Sequence, residues 1–241
     1  MPPYQIEGCT VQDGAGLARN NMTAFWTDPT WVLLWKNKTT EYVVQQCTLR
    51  MPKNLLDDRA HKRHQKVVDT ETGEVVGYCR WLLPDRLTGE WLEAQTPVVS
   101  RAEEKEFSKR FDSADWSTAP LGNMDDPVHV TMQKYKGLKE YMQIDYLAVR
   151  PEYRGQGIAT MLVASGVAQS ERLGIDIFLM AYKAGLGVYK RLGFEMLEYY
   201  IQDDSQWGGK GEYGTYFLER TVKTKTEANC DKTKTKRLGS P

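Results

Sequence analysis

Apolar residues recur along this chain at two spacings, and the changes from one to the other divide it into elements. Residues 4–10 read as a first strand. Val11, Leu17, Ala18, Met22 and Phe25 then follow a helical spacing that predicts a helix over 11–27. A second helix is predicted over 39–51, with Asn37 or Thr39 as its cap. Residues 66–70 and 75–83 form a hairpin pattern around Glu71-Thr72-Gly73-Glu74, because glycine supplies the turn and β-branched residues flank it. Between 84 and 140 the pattern loosens. Ser100, with Glu103 three residues on, has the capping-box spacing and predicts a helix over about 99–111 within that stretch. Regularity returns with a strand over 142–149, a helix over 158–173 stopped by Gly174, a strand over 177–181 and a helix over 184–192. Strands over 194–201 and 213–221 follow, joined by an Asp- and Gly-rich loop. This mixed succession predicts an α/β sheet of about seven strands.

The turn between the strand at 142–149 and the helix at 158–173 carries chemistry. It reads Arg150-Pro-Glu-Tyr-Arg154-Gly155-Gln156-Gly157-Ile158-Ala159. The first amides of a helix lack intrahelical acceptors and lie at the positive end of its dipole, so they accept anionic oxygens. Gly155 and Gly157 let the backbone approach a phosphate closely. Arg154 to Ala159 also fits Arg/Gln-x-x-Gly-x-Gly/Ala, and the strand before it fits Leu/Ile-x-x-Leu-x-Val. Downstream, Tyr189-Lys190-Arg191-Leu192-Gly193-Phe194 closes a helix in Tyr-x-x-x-Gly-Phe. With these two motifs in this order, the chain resembles the GNAT superfamily of N-acetyltransferases, the specific motifs spanning 142–196.

The resemblance implies a GNAT-like mixed, mostly antiparallel central sheet flanked by helices. Residues 1–222 would form the acyltransferase domain, with an insertion at about 84–140 before the fourth strand. It further implies acetyl-CoA as co-substrate and no metal. The amides of Arg154, Gly155, Gln156, Gly157, Ile158 and Ala159 would hold the pyrophosphate. The backbone of Leu147 and Val149 would pair with the pantetheine arm like an added strand. An amide near Leu147 or Ala148 would polarise the thioester oxygen. Arg150 and Lys190 are either helpers at the nucleotide phosphates or ordinary surface charges.

By the same resemblance Tyr189 is the general acid for the departing thiolate. Gln143 occupies a place where some relatives carry glutamate, and glutamine cannot take a proton at neutral pH. Asp145 is then the nearest carboxylate, able to deprotonate an ammonium directly or through water, or to orient it. Period-two alternation would put Gln143, Asp145 and Leu147 on one face and Ile144, Tyr146 and Ala148 on the other. The family's frequent asparagine before the last helix is absent, with Tyr182 and Lys183 in that region.

The acceptor must come from elsewhere in the chain. Phe25 to Trp35 is dense in aromatics, and Trp26, Trp31 and Trp35 would either wall a pocket for an apolar or aromatic substrate or pack the loop onto the sheet edge. The 84–140 stretch is expected to be a partly ordered lid over that site, with 112–126 the part best suited to disorder. These features favour an acetyl-CoA-dependent N-acetyltransferase acting on a small-molecule amine by direct attack in a ternary complex. A protein or peptide N-acetyltransferase and a non-catalytic CoA-binding regulatory module are the alternatives.

Composition narrows the setting. Lys plus Arg and Asp plus Glu are equal at 32 each, so no overall field favours nucleic acid or an anionic membrane. The Lys- and Thr-rich tail at 223–241 reads as disordered and solvated, with a nuclear address or nucleic-acid contact as the weaker reading. Cys9, Cys47, Cys79 and Cys230 lack paired spacing and read as reduced thiols. With no signal segment and no long apolar run, the expected location is cytoplasmic. Asn21 and Asn37 match glycosylation acceptors by chance on that reading. Arg59, His61, Lys62, Arg63, His64 and Lys66 form a basic run expected to be a solvated face, His61 and His64 having metal-ligand spacing without a completing ligand. Nothing in the sequence addresses oligomeric state.

Overall fold

The computed structural model describes residues 3–222. The tail at 223–241, with Cys230, lies outside the described residues. Strand β1 (Tyr4–Gly8) leads through a short 3-10 turn into α1 (Gly14–Phe25). Helix α2 (Thr40–Leu56) follows, and then the hairpin β2 (Lys62–Asp69) and β3 (Val75–Leu82). Thr39 caps α2 by accepting a hydrogen bond from the Tyr42 amide, so the cap expected there forms. Helices α3 (Arg101–Ser113) and α4 (Asp126–Lys136) occupy the long connection. They precede β4 (Met142–Val149), α5 (Ile158–Leu173), β5 (Ile177–Tyr182), α6 (Leu186–Arg191), β6 (Glu195–Asp203) and β7 (Glu212–Arg220). The capping box at Ser100 and Glu103 starts α3 as its spacing predicts.

The seven strands form one sheet in the order β1-β2-β3-β4-β5-β7-β6, antiparallel except for the β4–β5 pair. Helix α5 covers one face, where Trp81, Leu162, Val163 and Ile177 are among the buried core residues. Each such side chain contributes roughly 2 kcal/mol through the area it removes from water. Gly166 on α5 sits where a Cβ would come within 2.0 Å of the Trp81 ring, so its lack of a side chain sets the helix against the sheet. Helices α1 and α2 cover the other face, where Leu17, Met22, Val43, Cys47 and Leu55 share a buried cluster with Tyr78 of β3. Val128 of α4 packs in a third cluster with Tyr141, Phe178 and Phe217.

Several expectations change. The basic run is not a solvated face: β2 begins at Lys62, and its pairing with both β1 and β3 carries the run into the sheet. Arg63 is 0% exposed and His64 1%. The Arg63 guanidinium donates to the carbonyls of Arg59, Ala60, Lys62, Thr88 and Glu90, so backbone oxygens replace the water it loses. His64 Nδ1 lies 2.8 Å from the Tyr78 hydroxyl, while His61 sits between Asp58 and Asp85, so the two histidines do not share a site. Within 112–126 the Asp115 amide donates to Gln46 of α2, Trp116 packs on Trp35 and the Met124 carbonyl accepts from Gln202 of β6, and α4 was not foreseen. Asn21 is buried in α1, which removes it as a glycosylation acceptor.

Candidate active site

Strands β4 and β5 pair only at Met142–Ile177, Gln143–Phe178 and Ile144–Leu179, and beyond Ile144 the register stops. Into that splay opens a cavity of about 1120 Å³ lined by Ile144 to Val149 on one side and Met180 to Lys183 on the other. Its size exceeds the ~300–1,000 Å³ of ordinary small-ligand pockets, room for a long donor and an acceptor together.

A bulge shapes this edge. On β3, Arg80 pairs with Tyr146 and Trp81 with Ile144, so Asp145 is the extra residue. The period-two assignment of faces therefore fails. Ile144 and Leu147 both pack with the α5-side core, and Tyr146 packs with the α1–α2 core. Past the bulge the Arg150 amide donates to the Val76 carbonyl at 3.2 Å. By alternation of an antiparallel ladder, the backbone groups of Tyr146 and Ala148 then turn toward β3, and those of Leu147 and Val149 turn into the splay. Asn20 of α1 pins the strand end, contacting the Ala148 carbonyl and the Arg150 amide.

The glycine turn meets the same cavity, which Arg154, Gly155, Gly157, Ile158, Ala159 and Thr160 line. Gly155 and Gly157 have φ of 78° and 85°, and at neither would a Cβ meet another atom within 4 Å. Among the described residues none accepts from the amides of Gly155, Gln156, Gly157, Ile158 or Ala159, so a row of donors faces open space at the start of a 16-residue helix. That cradle fits a pyrophosphate. The Arg154 amide is instead used within the turn, donating to the Pro151 carbonyl, and its guanidinium donates to the Ala24 carbonyl and Thr27 Oγ1. The Gln156 side chain turns to Tyr4.

The remaining expected residues divide. Asp145 lines the cavity and accepts from Arg80 Nε through Oδ2 at 2.6 Å, leaving Oδ1 without a partner among the described residues. Tyr189 lines it too, 4% exposed, with its ring edge-on to Phe194 at 5.5 Å. Burial, and secondarily Cys79, holds its phenol well above the usual range, so it stays protonated at neutral pH. Of the tryptophans only Trp31 lines the cavity. Trp26 stacks edge-on to Trp31, and Trp35 is buried against Trp116 at 4.7 Å. Gln143 lies within the paired part of β4, outside the lining, and Arg150 is tied to Glu74 at 2.8 Å. Lys190 is not in the lining; Arg191 is.

The long insertion does not cover the site. None of residues 84–140 lines the cavity; Trp116 braces the aromatic wall from behind through Trp35, and residues 87–94 pack beneath the sheet. Sequence reasoning also missed Thr30, Tyr182, Tyr213 and Tyr216, which do line it. Burial, then the carboxylates of Asp125 and Asp28, push Tyr182 up to about 12.

The sequence profile of the Acetyltransferase (GNAT) family matches residues 28–194, more than half of the chain. The chain belongs to the GNAT acetyltransferase family. Members of this family are acyltransferases that use acetyl-CoA. No curated protein sequence matches this GNAT chain significantly. Among solved structures it is similar to the histone acetyltransferase HPA2 and related acetyltransferase from Corynebacterium glutamicum, at 18% identity and TM-score 0.56, over 93% of this chain and 99% of the other. It is also similar to Drosophila melanogaster polyamine N acetyltransferase, an enzyme that catalyses formation of N-acetylagmatine, at 12% identity and TM-score 0.53, over 91% and 100%. A third is mosquito arylalkylamine N-acetyltransferase like 5b, at 13% and 0.50, again over 91% and 100%. At these identities the likeness shows the fold. Among the described residues no helix of this GNAT domain is long and apolar enough to cross a membrane.

Proposed function

We propose that the protein transfers the acetyl group of acetyl-CoA to the amine of a small molecule, by direct attack in a ternary complex. The observation that carries this reading is one continuous cavity holding a phosphate cradle, a strand edge with free backbone groups and an aromatic acceptor wall. Bound there, acetyl-CoA supplies an activated acyl group. The amides of Gly155, Gln156, Gly157, Ile158 and Ala159 hold its pyrophosphate, Leu147 and Val149 align its pantetheine arm, and an amide of the Leu147–Ala148 segment polarises the thioester oxygen. Arg80 occupies one carboxylate oxygen of Asp145, and the free Oδ1 orients the acceptor ammonium and takes its proton. Tyr189 donates a hydrogen bond, and finally its proton, to the departing thiolate.

Trp31 shapes the acceptor wall, with Trp26 and Trp35 supporting it, and Gln143, outside the lining, takes no part in holding the acceptor. Two of the three structural relatives are named for small amines, polyamines and arylalkylamines, which supports a small acceptor, while the third is named for histones. Cys9, Cys47 and Cys79 are buried free thiols, and Cys47 is pushed by burial to about 12. Unpaired cysteines support a reducing, cytoplasmic setting. The test is thiol release from acetyl-CoA across a panel of alkyl, aryl and diamine acceptors. Release with none of them, alongside measurable acetyl-CoA binding, would overturn the small-amine reading; adding a peptide with a free N-terminus then separates a protein or peptide N-acetyltransferase, which releases thiol, from a non-catalytic CoA-binding module, which does not.

A further inference from the structure

Two segments remote in sequence supply part of the cavity wall: Asp28 to Trp31, between α1 and α2, and Ile201 with Glu212 to Gly214, where β6 turns into β7. One buried hydrogen bond joins them. Thr30 Oγ1 donates to Asp204 Oδ2 at 2.7 Å, across 174 residues of chain, with Thr30 only 6% and Asp204 1% exposed. Each end of that bond is rigidly mounted. Asp28 Oδ1 accepts from the amides of Thr30 and Trp31, both at 2.9 Å, so Thr30 cannot swing independently of the aromatic wall. Asp204 Oδ1 accepts from the Gly211 amide at 2.9 Å, and the carbonyl of Asp204 accepts from Gly209. Gly209 lies so close that a Cβ there would meet the carboxylate at 1.9 Å, and the loop therefore wraps Asp204 tightly.

Asp204 makes no ion pair among the described residues. Burying a carboxylate with only hydrogen bonds for compensation is expensive, and an apolar residue would serve packing better. What the carboxylate supplies is directionality: it accepts from Thr30 on one segment and from Gly211 on the other, tying the loop that carries Trp31 to the β6–β7 turn that carries Tyr213. We infer that the Thr30–Asp204 bond is a specificity-determining clamp that sets the width of the acceptor end and restricts the acceptor to a compact primary amine, excluding an extended peptide. This rests on the proposed acetyltransferase activity. Thr30 and Asp204 touch neither reacting atom; they act by positioning the walls.

The test compares wild type with Thr30→Val, isosteric but unable to donate, and Thr30→Ser, which keeps the hydroxyl. Asp204→Ala, which removes both acceptor oxygens, is the second break of the same bond should Thr30→Val fold poorly. The probes are 2-phenylethylamine, 1,4-diaminobutane and a hexapeptide amide with a free N-terminal alanine; the readouts are kcat/KM for each, KM for acetyl-CoA, and amide hydrogen exchange across 28–31 and 201–214. Losing a buried hydrogen bond to a charged acceptor should lower the preference for amine over peptide by about tenfold or more. Exchange should rise in both segments, with KM for acetyl-CoA unchanged and Thr30→Ser like wild type. An unaltered preference and unaltered exchange in both clamp-breaking variants overturn the inference, as does a Thr30→Ser enzyme as relaxed as Thr30→Val. Wild-type protein that acetylates none of the three probes sinks the proposed activity and the clamp's selective role together, whereas a broad wild-type enzyme that takes peptide and amine equally sinks the clamp alone.

Discussion

Replacing Tyr189 with phenylalanine removes one oxygen from the cavity and little else. The ring is 4% exposed and rests edge-on against Phe194, contacts that phenylalanine keeps. Among the described residues the hydroxyl has no hydrogen-bond partner, so its loss orphans no group and stability should move by less than about 0.5 kcal/mol. The whole effect should appear in the transition state, where the phenol donates to sulfur as charge develops. A hydrogen bond to a charged group is worth about 1.5–3 kcal/mol. At 1.36 kcal/mol per tenfold in rate, kcat should fall by roughly 10- to 150-fold. Because the interaction is absent in the ground state, KM for acetyl-CoA should stay within about twofold of wild type. Steady-state thiol release at saturating amine, from pH 6 to 10, measures this, with thermal unfolding as the control. Full activity of Tyr189→Phe at every pH would mean that solvent protonates the thiolate and that Tyr189 only packs beside it.

Asp145→Asn should lower kcat by about 100-fold or more, the scale of a lost general base, while tryptophan fluorescence titration finds acetyl-CoA affinity unchanged; unchanged turnover removes Asp145 from the mechanism. Gly166→Ala drives a Cβ to within 2.0 Å of the buried Trp81 ring and should cost about 1–3 kcal/mol, read as a lower urea midpoint at constant slope. A midpoint equal to wild type would show that α5 can lift off the sheet freely. Burial, and then the nearby Arg80, Lys62 and Arg63, hold His64 near 3 against an ordinary 6.5. Between those values the unfolded chain binds the extra proton, so this contribution is complete above about pH 6.5 and is lost toward pH 3 at up to about 1.4 kcal/mol per pH unit. Urea unfolding of His64→Leu at stepped pH should show a flatter acid limb, and identical limbs would mean that His64 titrates normally.

The donor half of the proposed site was legible in the sequence because its physics is local. A strand, two glycines at positive φ and a helix start within some 18 residues are enough to leave a row of amides unpaired, whatever packs around them. Helix caps at Thr39 and Ser100 and the stop at Gly174 were readable for the same reason: each is an interaction across a few residues. The splay itself was only implied, since it requires β5 to part from β4 after three residue pairs.

The acceptor half was decided by tertiary structure. Alternation along β4 misassigned the faces because the bulge at Asp145 is set by pairing with β3, a strand 60-odd residues earlier, and shifts every following side chain. The basic run looked solvated because its charges are visible in sequence, while the carbonyls that receive Arg63, from Thr88 and Glu90, are gathered only by folding. Trp31 and Trp35, four residues apart in one aromatic run and in ring contact at 5.4 Å, differ in role because Trp116 arrives from the insertion to cover Trp35 while Trp31 stays at the cavity. Sequence alone determined that unpaired amides would stand at the start of α5, since that feature is one turn of backbone. What the chain can accept was left to contacts such as Thr30 with Asp204, whose partners lie 174 residues apart and meet only when the sheet is complete.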